Sequence, residues 1–454
     1  MQVRMFGRSV GALLAVCVLF AALPASAAVR QVDRGTAQMG AAARKAQDIK
    51  AQTEGERTEN ARASSVMLHW KAYPGAVRYA VRILRGVPGG TMTTVVSAER
   101  VYTTGVHLPL GAHGVDEGLY WSVQPLDYRG TPLAQPSKPE ALPRLAEDPA
   151  APVLTAEFGE MAYAPLYPAY SWIPLSGQMH HEVEVYRREG GRSILLHTLR
   201  GGAHDVYDTS AFTVPGHYTY RVRGVTSAGT PISDWSEMGA FDVIGHTPIA
   251  AIGDSITHGG GAISVPPSYL LYDWETYCTV PVKNLGRSGD TTADMLARFE
   301  HDVLPFAPRV LIIMGGVNDY RSGIYGAESV RHLAALRDKC RAYGITPVFL
   351  TATPIRPALM AARMDIMTPP ADWWTHRDYI NNWVMQQEYS VDVSTVLSDA
   401  DGELEAEYTT DGLHPDLVGK KYIGQTVDAY LRTHFAYAAG EAERRVQSFR
   451  AAGK

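Results

Sequence analysis

The stretch "AIGDSITHGGG", residues 251–261, follows the apolar residues "PIA" and turns abruptly into a polar, glycine-rich segment. A short apolar run that stops at such a segment reads as a strand buried on both faces. Similar runs come later, "PRVLIIMG", "TPVFLTAT" and "VDVST". Between the runs lie "TTADMLARFEHDVL", "AESVRHLAALRDKCRAYG" and "GKKYIGQTVDAYLRTHF". Their apolar residues recur at helical spacing: Met295, Leu296, Phe299 and Val303 in the first, Ile423, Val427 and Leu431 in the last. Strands alternating with helices predict a parallel sheet covered by helices on both faces. Ligands of such sheets bind beyond the carboxyl ends of the strands, so the residues following each strand carry the functional reading.

Ser255 arrives immediately after the first strand, where its hydroxyl can face a crevice. A bare serine is a weak nucleophile and needs a base within hydrogen-bond reach. Other readings of the stretch fail for want of partners. A phosphate-binding loop needs Lys-Ser or Lys-Thr after its glycines, and no lysine follows these. A dinucleotide site needs G-x-G-x-x-G opening a helix, whereas this stretch runs into prolines. The G-x-S-x-G elbow is absent too: "GDSIT" lacks its second glycine, and "GRSGD" at 286–290 puts Asp290 in that place. "HGGG" stands directly after the serine rather than long before it.

The other strand ends supply what a serine nucleophile requires. After a further strand, ahead of "PRVLIIMG", comes "NLGRSGDTT", with Gly289 just ahead of a helix that Asp290 or Thr291 would cap. Backbone N–H groups there face outward at the positive end of the helix. At the end of "PRVLIIMG" comes "MGGVNDY", whose Asn318 amide can donate to a developing negative charge. After the last comes "DGLHPD", with Asp411 three residues before His414, so that a carboxylate can hold one imidazole nitrogen while the other faces out. "GDS" at 253–255, "SGDTT" at 288–292, "GVND" at 316–319 and "DGLH" at 411–414 resemble, in that order, the SGNH or GDSL hydrolase family over residues 246–436. The resemblance implies a three-layer α/β/α sandwich with a flavodoxin-like sheet. It also implies Ser255 as nucleophile, His414 as general base and then acid, and Asp411 as its orienting partner. The Ser255 and Gly289 N–H groups and the Asn318 amide would form an oxyanion hole.

Nearby residues read as scaffold. Asp254 is expected to bond local backbone, Asp319 to cap the next turn, and His258 to wall the crevice. Trp373, Trp374 and Tyr379, in "ADWWTHRDYI", are read either as a lid over the substrate or as plain packing. The glycines after Ser255 are read as giving the following loop room.

From 63 to 245 the text consists of short alternating runs broken by Gly and Pro, the pattern of antiparallel β-structure. It repeats. Trp70 precedes Val81 by eleven residues, as Trp172 precedes Val183; each unit then carries a Tyr-rich strand and a Gly-Thr-Pro, at 130–132 and 229–231. The offset of 102 residues at the Trp and 99 at the Gly-Thr-Pro suits a β-sandwich with a buried Trp. Both units, 63–146 and 147–245, resemble fibronectin type III modules, which as spacers or docking surfaces accompany bacterial extracellular enzymes. Trp70 and Trp172 are read as core residues.

At the start, Arg4 and Arg8, the apolar "GALLAVCVLFAAL" and "ASA" at 25–27 form a signal peptide over 1–27. Its 13-residue run is too short to span a bilayer comfortably, so a secreted or periplasmic protein without a transmembrane anchor is expected. Residues 28–62 read as a polar helical or linker segment and 437–454 as a polar C-terminal tail. With 42 basic and 47 acidic residues the 454-residue chain has a net charge of −5, and −7 once Arg4 and Arg8 are removed, with no polybasic run. Nucleic acid is therefore not an expected partner. Of the three cysteines Cys17 leaves with the signal. An oxidising compartment would permit a Cys278–Cys340 disulfide, but Cys340 lines up with Val330, Leu333 and Leu336 as an ordinary buried thiol. The expected activity is ester hydrolysis needing no cofactor or metal, with an O-acetylated glycan as substrate. The alternatives are a lipolytic esterase, lysophospholipase or thioesterase, and a non-catalytic cell-surface binding protein.

Overall fold

A computed structural model describes residues 65–452 apart from 74, 88, 114–117, 128, 143–148, 261–268 and 363–367. The expected signal peptide (1–27) and polar segment (28–62) lie outside the described residues. Among the described residues, no helix is long and apolar enough to cross a membrane.

The first β-unit holds β1 (Ser65–His69), β2 (Arg78–Gly86), β3 (Met92–Val101), β4 (Gly105–Pro109), β5 (Leu119–Leu126) and β6 (Glu140–Ala141). β1 pairs with β4, and the other four form a sheet in the order β3-β2-β5-β6. Both sheets contribute to one core, with Val66, Leu68 and Leu108 from the small sheet and Tyr79, Val81 and Ile83 from the large one. Trp70 is only partly buried at the edge of that core, edge-on to Tyr79 with ring centroids 5.2 Å apart.

The second unit holds β7 (Val153–Leu154), β8 (Ala169–Ile173), β9 (His180–Glu189), β10 (Arg192–Gly201), β11 (Asp205–Tyr207), β12 (Gly216–Val225) and β13 (Gly239–Val243). They form sheets β11-β8-β7 and β10-β9-β12-β13. Side chains alternate along β9: His181, Val183 and Val185 are buried, while Glu182 and Glu184 face out and pair with Arg223 and Arg221. The guanidinium carbon of each lies over the Trp235 ring, 4.2 Å from the centroid. Trp172 is fully buried, its indole N–H donating to Ala203 O at 3.1 Å. The repeated Gly-Thr-Pro makes the same turn in both units: Gly130 N–H donates to Asp127 O at 3.0 Å and Gly229 N–H to Thr226 O at 2.8 Å.

The C-terminal domain carries β14 (Ile249–Gly253), β15 (Lys283–Asn284), β16 (Val310–Met314), β17 (Thr346–Leu350) and β18 (Ser390–Val391). All pairs are parallel, in the order β15-β14-β16-β17-β18. Numbered within the domain this is 2-1-3-4-5, the flavodoxin-like order. Every residue of β14 and β16 is buried, so both faces of the sheet are covered. The helices are α1 (Ser255–His258), α2 (Thr292–Ala297), α3 (Phe299–Asp302), α4 (Val317–Arg321), α5 (Gly326–Ala342), α6 (Pro357–Met360), α7 (Trp373–Val384), α8 (Leu417–His434) and α9 (Ala436–Ala452). α5 packs against α2 and α7, and α8 against α9.

Several expectations are corrected. The run 291–304, read as one helix, breaks at Arg298, whose guanidinium turns inward. Much of the expected tail, 437–454, is helix α9, which buries Ala438, Ala439, Ala442 and Val446. The "VDVST" strand is only two residues long, beginning one residue earlier at Ser390. Cys278 and Cys340 are free thiols, Cys340 buried as its helical register predicts. Finally, the second β-unit is no separate bead: its apolar core is continuous with that of the α/β domain, while the first unit keeps its own.

Candidate active site

The four motifs converge at the carboxyl ends of β14, β15 and β16, around the point where strand order reverses. Ser255 is the first residue of α1, capped by Asp254, whose carboxylate accepts from Ile256 N–H at 2.9 Å. That is the local backbone bond expected of Asp254. Burial pushes its carboxyl up to about 7. As the first helical residue, Ser255 offers an N–H that has no acceptor within the helix.

His414 Nε2 lies 2.9 Å from Ser255 Oγ, and its Nδ1 lies 2.7 Å from Asp411 Oδ2. The other carboxylate oxygen, Asp411 Oδ1, accepts the Leu413 and His414 backbone N–H groups, each at 2.8 Å. Burial alone would raise the Asp411 carboxyl, but the adjacent imidazole and these backbone donors hold it below the usual carboxylate range. An acceptor at Asp411 places the His414 proton on Nδ1 and leaves Nε2 free to accept from Ser255. Thr409 steadies the loop by donating to His414 O at 2.9 Å and accepting from Gly412 N–H at 2.9 Å.

Gly289 occupies the third place of the turn Arg287–Asp290, at φ +90°. A side chain there would meet open space, so the backbone conformation, not crowding, calls for glycine. Asn318 sits in the first turn of α4, buried, its Nδ2 donating to Asp290 O at 2.9 Å. Arg321 Nε donates to Asn318 Oδ1 at 2.9 Å, which turns the NH₂ end toward the Gly289 turn. Ser255, Gly289, Asn318, Asp411 and His414 are thus brought to one locale.

The scaffold differs from expectation in detail. Asp319 caps no following turn: it accepts from Thr292 N–H at 2.9 Å and Thr292 Oγ at 2.5 Å, tying the Asn318 motif to the start of α2. Thr291 caps α2 with a reciprocal Asp294 bond, while Asp290 pairs with Arg298 at 2.5 Å. Trp373 is packing, buried against Tyr320 with centroids 5.7 Å apart; Trp374 and Tyr379 are exposed on α7.

Sequence reasoning missed three supports. Arg298 reaches Asp290, Asp302, Leu285 O and Gly253 O beneath the site, and a charged residue inside an apolar helix register was its signal. Lys420 falls in the stripe of Ile423, Val427 and Leu431 and is fully buried, donating to Ile256 O at 2.7 Å just past the serine. Burial lowers its pKa, and the Asp273, Glu275, Asp254 and Asp416 carboxylates oppose that. Arg321, three residues beyond Asn318, had only helical spacing to mark it.

A serine hydroxyl beside an imidazole that a carboxylate holds, with backbone and amide donors nearby on a flavodoxin-like sheet, is the arrangement a serine hydrolase site calls for. Residues 251–422 match the model of the GDSL-like Lipase/Acylhydrolase family, so the C-terminal domain is an SGNH-type domain of ester-hydrolysing serine hydrolases. The uncharacterized lipoprotein YqeF of Bacillus subtilis (strain 168) is 30% identical over 127 residues, 24% of this chain and 50% of that one. The chain thus spans about half the length of this curated relative. Among solved structures, a GDSL-like lipase from Bacteroides thetaiotaomicron is similar at 19% identity and a TM-score of 0.34, over 41% of this chain and 88% of that one. Axe2, an acetylxylan esterase from Geobacillus stearothermophilus, is similar at 21% identity and a TM-score of 0.31, over 41% and 95%.

Proposed function

We propose that the protein is an exported serine esterase that removes acyl groups, chiefly O-acetyl, from an extracellular glycan. The observation that carries the hydrolytic reading is the hydrogen-bonded chain from Ser255 Oγ through His414 to Asp411, 2.9 and 2.7 Å, beside the Gly289 turn and the Asn318 amide. His414 takes the Ser255 proton as the oxygen attacks the ester carbonyl. The tetrahedral oxyanion is held by the Ser255 and Gly289 N–H groups and Asn318 Nδ2. His414 then protonates the departing alcohol and activates the water that releases the acid.

Support for a glycan comes from the export segment expected at 1–27 and from the two β-units, which we read as fibronectin type III modules. The second unit's three- and four-stranded sheets support that reading. So does Tyr218, near the start of β12, whose hydroxyl donates to Val214 O at 2.7 Å, a tyrosine corner.

The test is turnover of p-nitrophenyl acetate, p-nitrophenyl octanoate and acetylated xylan by the purified protein and by Ser255→Ala. Acetate release that Ser255→Ala abolishes is expected. A faster octanoate reaction would favour a lipolytic enzyme, and wild-type rates from Ser255→Ala would remove Ser255 as nucleophile.

A further inference from the structure

We infer that His258 is a positioning residue that ties the turn carrying Gly289 to the second β-sandwich, making that sandwich part of the catalytic unit. The inference rests on the esterase reading above and deepens it.

His258 stands one helical turn after Ser255, at the end of α1, and is buried. Its Nε2 lies 2.5 Å from Tyr167 O, an acceptor only, so Nε2 carries the proton and Nδ1 is the lone-pair side. Nδ1 lies 3.2 Å from Ser288 N and 2.8 Å from Ser288 Oγ, both able to donate to it. Ser288 immediately precedes Gly289, so the imidazole anchors the Arg287–Ser288 peptide and the Ser288 side chain one residue ahead of the proposed oxyanion donor. Burial holds the ring neutral, pushing its pKa down to about 4, which keeps Nδ1 an acceptor at neutral pH.

The carbonyl at the other end of the ring is itself fixed. Tyr167 lies in the segment between β7 and β8 of the second sandwich, and its hydroxyl donates to Asp302 Oδ2 at 2.6 Å. One residue earlier, Leu166 N–H donates to Asn284 O at 2.9 Å, and Lys283 Nζ reaches Ala164 O at 2.6 Å. The sandwich segment is therefore laced to β15, the strand that leads into the Gly289 turn. Tyr207 of β11 adds an edge contact to the imidazole, ring centroids 5.7 Å apart. A spacer would need none of these bonds.

The test is kinetics of the full chain on p-nitrophenyl acetate with His258→Phe, His258→Gln and Ser288→Ala, each checked by circular dichroism and thermal melting. His258→Phe keeps an aromatic ring but has no acceptor or donor. It should lower kcat about ten- to a hundredfold with KM within about twofold, the scale of a lost positioned hydrogen bond. His258→Gln offers a carboxamide oxygen and N–H at similar spacing and should recover much of the loss. Ser288→Ala should give a smaller fall in kcat at unchanged melting temperature. His258→Phe at wild-type kcat, or a loss that Gln does not recover and that tracks KM and melting, overturns the inference. If His258→Phe does not fold, Ser288→Ala and His258→Gln decide: a Ser288→Ala rate equal to wild type overturns it. Wild-type turnover abolished by Ser255→Ala shows that the esterase reading stands whatever His258 does.

Discussion

The sharpest consequence of the geometry concerns Asp411→Asn, a change of one atom. Asp411 Oδ1 accepts two backbone N–H groups at 2.8 Å and Oδ2 faces His414 Nδ1 at 2.7 Å. A carboxamide has one acceptor end. Its oxygen must stay on the backbone donors, because an NH₂ group there would confront two N–H groups in a buried site. The NH₂ is then directed at His414 Nδ1, which becomes an acceptor, and the proton moves to Nε2. Nε2 can no longer take the Ser255 proton across the 2.9 Å contact.

Inverting the tautomer in a triad of this kind lowers kcat by about 10⁴, equivalent to about 5 kcal/mol of transition-state stabilisation. The backbone bonds to Oδ1 survive, so the fold should survive with them. The assay is kcat on p-nitrophenyl acetate at pH 7.5, with near-ultraviolet circular dichroism to establish native packing. A folded Asp411→Asn protein within about tenfold of wild type would refute the reasoning, because the carboxylate would then not set the tautomer.

Other substitutions give separable outcomes. Asn318→Ala removes the side-chain donor and should cost about 10²–10³ in kcat with little change in KM, measured by steady-state kinetics. Gly286→Ala would place Cβ 2.3 Å from His258 N and 2.7 Å from His258 Cα, both backbone atoms. Such overpacking should destabilise the protein by about 1–3 kcal/mol, read as a lower urea midpoint. Neutral His258 adds a pH dependence, since burial holds its pKa at about 4 against an ordinary 6.5. Between those values the unfolded chain binds a proton that the folded chain does not. Its contribution is therefore fully present above about pH 6.5 and is lost as pH falls toward 4, a span of about 3 kcal/mol. The urea midpoint of wild type should drop more steeply from pH 6.5 to 4.5 than that of His258→Phe; parallel curves would contradict the assignment.

How far the sequence revealed these features follows the range of each interaction. Apolar runs and helical stripes are local, and Val310–Met314, Ile423 and Leu431 lie where their spacing puts them. The motif residues were legible because each follows a strand, and a parallel sheet collects strand ends on one edge. Lys420 had a visible anomaly, a lysine on an apolar stripe, although its acceptor at Ile256 lies 164 positions away. The break at Arg298 was hidden because the apolar register continues across it. The first unit's Trp70 is only partly buried where its repeat partner Trp172 is fully so, since repeated letters do not guarantee equal neighbours.

The join between the second sandwich and the α/β domain lay furthest from view. Apart from the Tyr167 hydroxyl on Asp302, its bonds use, on the sandwich side, the carbonyl oxygens of Ala164 and Tyr167 and the N–H of Leu166, groups that nearly every residue type supplies. No composition or spacing marks a backbone carbonyl as an acceptor for a distant histidine. The visible half of the contact was His258, and in sequence it looked like a crevice wall beside the nucleophile. Only with the sandwich in place does that ring become a bridge, its Nε2 on the sandwich segment and its Nδ1 on the turn that carries Gly289. Motifs in this chain therefore mark the groups proposed to meet the substrate, whereas one group proposed to aim them, His258, is found in the packing between domains.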